Sequence, residues 1–510
     1  MSLSTDSHGD EAIVGLEGER ILREGSIGVY SPRALGQPTG PLYLTALSVG
    51  LFGSTIWAVR AVSALIGTIT VGVFYLMLRR HAGGTESEKR VVALLGAAFL
   101  ATSQWHLHYS RIGFPLISWP LCALLMIWGA LEAAKHKQAR WWCVAGVLTG
   151  LGIYSYNAHI MCMLALGAWM LFFVARERET PIARRLGWLL AFISSVIVTA
   201  MPMLLYAFNP SNGYFKHSQA VSIFTAPNSG WAELHRFGSK FGYLSARYID
   251  VWNNLGFNSR IDSVDGIGVV PPVPAMMMLL AALGLLWGWK SKRGNLIQIS
   301  LFFAIIMPIG PTITIEGLNR RVFAIAPLLA FLAAVGIIAI YRWAQRRTWK
   351  GVFKREKTPV GQVPSVVVGC LVLLFIGITG QNLYNCFVIS LPSDSVKWTY
   401  GQEMVAVCRY LNTLPPDAHV YFYSRRWSKN YETRVFLARD VHIEDRSTQF
   451  GDSGDFSLEL DDAKQQVYFV LVNEYQLKLP ELEKLYPRSQ IVKGLPTPVG
   501  NPTFIAVHPY

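Results

Sequence analysis

Apolar residues recur along this chain in runs of about the length that spans a bilayer as an α-helix, roughly 17–25 residues. They lie near residues 56–78, 91–109, 114–134, 141–157, 159–175, 187–207, 273–290, 296–313, 322–341 and 365–386. The pattern predicts ten transmembrane helices. Two pairs, 91–134 and 141–175, are nearly continuous and turn at Arg111-Ile112-Gly113 and at Asn157-Ala158-His159. Residues 41–52 are too short to span and read as an interfacial amphipathic helix on the outer leaflet. The 208–272 segment mixes aromatics with Asn, Gly and Ser, and reads as an outer loop with short helices. After residue 387 the pattern becomes α/β. A helix is expected over 398–412, strands over His419–Ser424, Gln466–Val472 and Thr503–His508, and a short helix over Leu479–Leu485. The expected organisation is therefore 1–55 as a polar first loop, 56–386 as a transmembrane domain, and 387–510 as a small α/β domain large enough to hold its own core.

Composition supports a membrane protein. Hydrophobic residues make up 52% of the 510 positions and charged residues 15%, where soluble domains carry about 25% charged. The net charge of +14 is explained by where the cations lie. One set of loops holds Arg79, Arg80, Lys89 and Arg90, then Lys135, Lys137 and Arg140, then Arg176, Arg178, Arg184 and Arg185, then Lys290, Lys292 and Arg293. It ends in a dense basic run over 342–357. These loops alternate with short ones carrying only Arg111, then nothing, then Arg320-Arg321. By the positive-inside tendency the basic set faces the cytoplasm, which disfavours a nucleic-acid partner and places 1–55, 208–272 and 387–510 outside the cell membrane. An outer segment 1–55 needs a helix to export it, so a first transmembrane helix ahead of this N-terminus is expected. The six cysteines show no metal-ligand spacing and read as free thiols.

The middles of the spans are almost free of charge, and the polar residues gather at their outer ends: Arg60, His106, His108, Arg111, Asn157, His159, Glu316, Asn319, Arg320 and Arg321. Asp10 and Glu11 belong to the same outer layer. Carboxylates and arginines meeting at a membrane boundary suit a reaction on a lipid-linked anionic substrate. Arginine holds phosphate bidentately, and a carboxylate takes a proton from an attacking hydroxyl. Plainer roles exist for each residue. Arg60 and Arg111 also suit snorkelling to the interface, and His159 suits an interface histidine. His106 and His108, two apart on a helix, point to different faces and make a poor metal pair. A polytopic transporter or lipid flippase with an accessory outer domain is the alternative, although such proteins place ionisable groups nearer the midplane. A non-catalytic scaffold is a third reading.

Several short motifs in order carry a family resemblance. Gly9-Asp10-Glu11-Ala12 precedes Arg-Ile-Leu-Arg-Glu-Gly, and Gln37-Pro38-Thr39-Gly40-Pro41-Leu42-Tyr43 follows about 30 residues on. Leu51-Phe52-Gly53, Ala58-Val59-Arg60, Ser63–Gly67, Tyr109-Ser110-Arg111, and Asn319-Arg320-Arg321 before Ala324–Pro327 continue the series. The series resembles the GT-C membrane glycosyltransferases, in the protein O-mannosyltransferase and aminoarabinose-transferase branch. It is strong over 9–115, collinear to about 340, and architectural beyond.

The resemblance implies a GT-C fold and transfer of a sugar from a polyprenyl-phosphate-linked donor to a protein, lipid or glycan acceptor at the outer face. It implies Asp10 as the base or acceptor-positioning carboxylate with Glu11 beside it, and Arg111, Arg320 and Arg321 as donor-phosphate ligands. Arg60, His108, His159 and Glu316 are further substrate-site candidates. Relatives carry a second acidic residue just after the Arg111 position, where this chain has Ile112-Gly113-Phe114-Pro115. A two-carboxylate metal site therefore does not carry over, and dependence on a divalent metal stays open.

Overall fold

The computed structural model describes residues 9–33, 36–225, 239–258, 270–315, 319–346, 363–438, 441–447, 456, 466–497 and 500–509. Its fold is mainly helical, with a small sheet near the C-terminus. All ten apolar runs are helical over most of their length. Among the described residues, seven helical segments are long and apolar enough to cross a membrane: Ile56–His81, Pro115–His136, His159–Arg176, Ile182–Phe208, Asn295–Thr312, Asn319–Gln345 and Ser365–Ser390. The other three runs form shorter helices or are broken. The run over 91–109 divides into Glu86–Thr102 and Gln104–Arg111, because the Ser103 hydroxyl accepts from the His106 N–H and starts a new helix. The run over 141–157 leaves the α-helix after Ala139–Leu151 and tightens into a 3₁₀ turn at Gly152–Tyr154. Pro308, which has no N–H to donate, separates Asn295–Ile306 from Ile309–Thr312. The protein is a multi-pass membrane protein.

The chain divides into two compact units: Met1–Ser26 with Leu44–Val59 and Leu391–Tyr510, and Ile27–Tyr43 with Arg60–Ser390.

The larger unit is the helical one. Its helix Ala326–Gln345 is buried along nearly its whole length. It packs on Ala275–Lys290 at two glycines, where a Cβ on Gly336 would run into the Leu280 carbonyl and one on Gly284 into that of Leu332. Small residues let helix backbones approach where lipid gives no hydrophobic drive to associate. At one end of the bundle the basic loops are tied together by ion pairs. Glu88 meets Arg293 at 2.5 Å and Arg342 at 2.6 Å, and also closes a capping box with Thr85. Glu132 meets Arg80 at 2.6 Å and His81 at 3.0 Å. The 27–43 segment holds two short antiparallel strands, β1 (Tyr30–Ser31) and β2 (Gln37–Pro38). Thr39 and Tyr43 both donate to the Gly28 carbonyl, at 2.6 and 3.0 Å. Asn157 donates to the Gly36 carbonyl at 3.0 Å. The Gln37–Tyr43 motif thus closes its own loop, while Asn157 joins that loop to the helices.

The smaller unit is built on a sheet of β3 (His419–Tyr423), β4 (His442–Asp445), β5 (Val467–Leu471), β6 (Gln490–Lys493) and β7 (Ile505–His508), in the order β4-β3-β5-β7-β6. Strands β4, β3 and β5 run parallel, while β7 is antiparallel to β5 and β6. β3 and β5 are buried throughout, as expected for central strands covered on both faces. On one face Met404, Val407 and Leu411 pack on Val420, Phe422 and Val470; on the other, Tyr475 and Leu482 pack on Tyr421, Tyr423 and Phe469. Two strands go beyond the three the sequence announces. β4 (HIED) and β6 (QIVK) are edge strands of mixed polarity, and such strands lack an apolar signature. The helix expected over 398–412 is two helices, Asp394–Thr399 and Gln402–Leu411, parted by Gly401 at a positive φ of 58°.

Candidate active site

Asp10 and Glu11 occupy the first turn of the helix Gly9–Glu24 in the smaller unit. Free N–H groups and the macrodipole at a helix start favour carboxylates there. Glu11 is buried and Asp10 half-buried. The helix is held by the α/β fold through its glycines. At Gly15 a Cβ would strike the Phe436 ring, and at Gly9 one would come within 2.8 Å of the Tyr431 hydroxyl. Tyr431 sits at the start of the helix Glu432–Leu437, stacks near Trp427 with ring centroids 4.5 Å apart, and accepts from the Gly9 N–H. Burial pushes its phenol above the ordinary range, and the negative charges of Glu432 and Asp10 push the same way. Tyr431 therefore sits against the start of the Asp10 helix. Sequence reasoning missed it, because a tyrosine 421 positions from Asp10 carries no local signal.

The cationic candidates all lie in the helical unit. Arg111 ends the helix Gln104–Arg111, on which His106 and His108 are buried. The charges of Arg111 and Arg60 both reach the His108 ring. The Arg111 guanidinium lies 5.0 Å from the Phe387 ring centroid and donates to the Cys386 thiol. Its Nη1 is buried and has no hydrogen-bond partner among the described residues. A buried cationic donor without an acceptor is costly, and an anion at that point would satisfy it. Arg320 and Arg321 sit on the 3₁₀ segment Asn319–Ile325. That segment packs on the Arg111 helix through Phe323, whose ring centroid is 5.1 Å from Trp105 and 4.7 Å from Tyr109. Asn319 donates to the Asn254 carbonyl at 3.4 Å.

His159 stands apart from this group. It is fully buried, with its ring against Gly152, and it starts the helix His159–Arg176. Glu316 lies outside the described residues. Among the described residues no group of three or more His, Cys, Asp or Glu side chains is arranged to hold a metal ion.

Residues 36–206 match the family model described as dolichyl-phosphate-mannose-protein mannosyltransferase. No curated protein sequence matches the chain. Among solved structures it is similar to ArnT from Cupriavidus metallidurans bound to undecaprenyl phosphate, with a TM-score of 0.53 at 14% identity over 99% of this chain and 95% of that one. It is also similar to the apo oligosaccharyltransferase of Archaeoglobus fulgidus, with a TM-score of 0.52 at 14% identity over 91% of this chain and 66% of that one. At such identity the likeness speaks for the fold. The fold is the GT-C fold that the ordered motifs implied.

Proposed function

We propose that this chain, a protein of the GT-C glycosyltransferase fold with a mannosyltransferase-type segment over residues 36–206, transfers a sugar from a polyprenyl-phosphate-linked donor to an acceptor hydroxyl or amine outside the cytoplasm. In this reading the acceptor oxygen or nitrogen attacks the anomeric carbon of the donor. The bond from that carbon to the phosphate oxygen breaks, and its electron pair leaves with the polyprenyl phosphate. Asp10 takes the acceptor proton as the new glycosidic bond forms, with Glu11 supporting it. Arg111, Arg320 and Arg321 hold the donor phosphate and offset the charge that grows on it. Arg60 and His108 shape the surroundings of Arg111, while His159 packs against Gly152 at the start of its own helix. The acceptor is a protein, lipid or glycan. The basic loops tied by Glu88 and Glu132 face the cytoplasm in this reading, and the α/β domain faces outward.

The family-model match is the observation that carries the reading, and the buried unmatched Nη1 of Arg111 supports a phosphate ligand at that point. The transporter and flippase reading finds no support in a glycosyltransferase fold. The test is Asp10→Asn in the full chain, assayed for transfer from a lipid-linked sugar pool in membranes. The variant is expected to insert and fold normally and to lose transfer. Transfer at the wild-type rate removes Asp10 from the mechanism.

A further inference from the structure

The α/β unit carries a cavity of about 300 Å³ for which the transfer chemistry has no use. Trp398, Gln402, Glu403, Asn473, Gln476 and Thr503 contribute to its wall. These residues come from three separate parts of the sequence, and several are held by neighbours within the unit. Glu403 is buried, and both its oxygens are shared: Arg426 reaches one at 3.3 Å and the Asn473 amide donates to the other at 3.2 Å. Its charge is therefore matched inside the protein. Asn473 holds a positive φ of 56°, a conformation that costs free energy and collects at functional positions. Its side-chain oxygen accepts from the Ser424 hydroxyl at 3.4 Å. Trp398 is 56% exposed, yet it is not loose. The Arg426 guanidinium lies over its ring at 3.5 Å from the centroid and also donates to its backbone carbonyl. Thr503 is 1% exposed, and its hydroxyl has no hydrogen-bond partner among the described residues.

These features narrow the ligand class. An apolar ligand would leave the buried Thr503 hydroxyl dry and unmatched, at a cost of about 1–3 kcal/mol. A charged ligand of either sign would meet a like charge, because Asp394 and Lys397 both line the cavity and the Glu403 carboxylate is already paired with Arg426. A neutral polyhydroxylated ring meets both conditions. Its C–H face can lie on a rigid indole, and its hydroxyls both donate to carboxylate and carbonyl oxygens and accept from amide N–H groups. The volume is at the low end of ligand pockets, which run from roughly 300 to 1,000 Å³, and suits one or two sugar rings. We propose that this cavity of the α/β unit is a binding site for a neutral carbohydrate. The site needs no chemistry at Asp10 and stands whether or not the transferase reading holds.

The test uses the full chain in lipid nanodiscs, since maltoside detergents carry a sugar headgroup. Saturation-transfer NMR and tryptophan fluorescence are read against methyl glycosides of mannose, glucose, galactose and N-acetylglucosamine and their disaccharides. At least one is expected to bind saturably, with affinity about tenfold lower in Trp398→Ala and also lowered in Gln402→Ala, and unchanged in Asp10→Asn. Two variants are used so that a folding defect in one leaves the other to decide. The proposal is overturned if no glycoside binds, if both pocket variants bind as the wild type does, or if binding is lost only in Asp10→Asn. Preference for an unglycosylated peptide or a charged sugar at the same residues also overturns it.

Discussion

Arg111→Met separates a catalytic arginine from one that merely packs. In the structure Arg111 makes a cation–π contact at 5.0 Å to Phe387 and a hydrogen bond to Cys386, while its buried Nη1 has no partner among the described residues. Losing the partly exposed cation–π contact costs about 0.5–1 kcal/mol, and a hydrogen bond to sulfur adds little. Removing a buried unmatched donor returns about 1–3 kcal/mol. The net change in stability is therefore expected near zero or slightly favourable. Removing a donor aimed at developing phosphate charge costs about 2.7–4 kcal/mol of transition-state stabilisation, or roughly 10²–10³ in rate. Arg111→Lys keeps the charge but loses the planar fork, so its rate should fall between the two. The assay is single-turnover transfer at saturating lipid-linked donor, with thermal unfolding of the same purified samples in parallel. A Met variant within fivefold of the wild-type rate refutes the phosphate role. So does a rate loss that follows a matching loss of folded protein, because that outcome is what a packing role produces.

Two further predictions concern the framework. Glu88→Gln keeps a side chain able to close the capping box with Thr85 but leaves Arg293, which is almost fully buried, without its counter-charge. It should destabilise the protein by about 3 kcal/mol, against about 1 kcal/mol for Thr85→Ala. Equal losses in thermal unfolding would show that the charge is not what holds these loops. Burial raises the pKa of Glu88, but Arg342, the Thr85 N–H and Arg293 together bring it below the ordinary carboxylate value. Its contribution is thus present above that value and disappears as pH falls through the lowered one. The gap between wild type and Glu88→Gln should narrow as pH falls below the ordinary glutamate value of about 4.3. Burial also pushes the Cys408 thiol up to about 12. Iodoacetamide at pH 8.5 should leave Cys408 unmodified in the folded protein and modify it in urea, as peptide mass spectrometry would read; modification of the native chain contradicts this packing.

The apolar runs were legible because lipid imposes a length and a composition on each span separately. The two buried strands β3 and β5 were legible for a similar reason, since each announces its burial within five residues. Polar breaks within a run were not. Ser103 divides a run that composition alone reads as one helix, because a hydroxyl that caps a new turn resembles one that merely sits in a helix. The edge strands β4 and β6 were also hidden, their partners being set by pairing rather than by pattern.

The sequence alone determined the membrane class, the GT-C resemblance and the identity of the acidic and basic candidates, each from a short window. Tertiary structure alone decided which of them meet. It brought the charges of Arg60 and Arg111 within reach of His108, and it packed the Arg320-Arg321 segment on the Arg111 helix through Phe323. It set Tyr431 against the start of the Asp10 helix, turned His159 into the packing against Gly152, and assembled the Trp398 cavity from three distant parts of the chain. The physical reason is the range of the forces concerned. Burial in lipid and local hydrogen bonding act on neighbours along the chain, whereas a site depends on packing between residues that hundreds of positions separate.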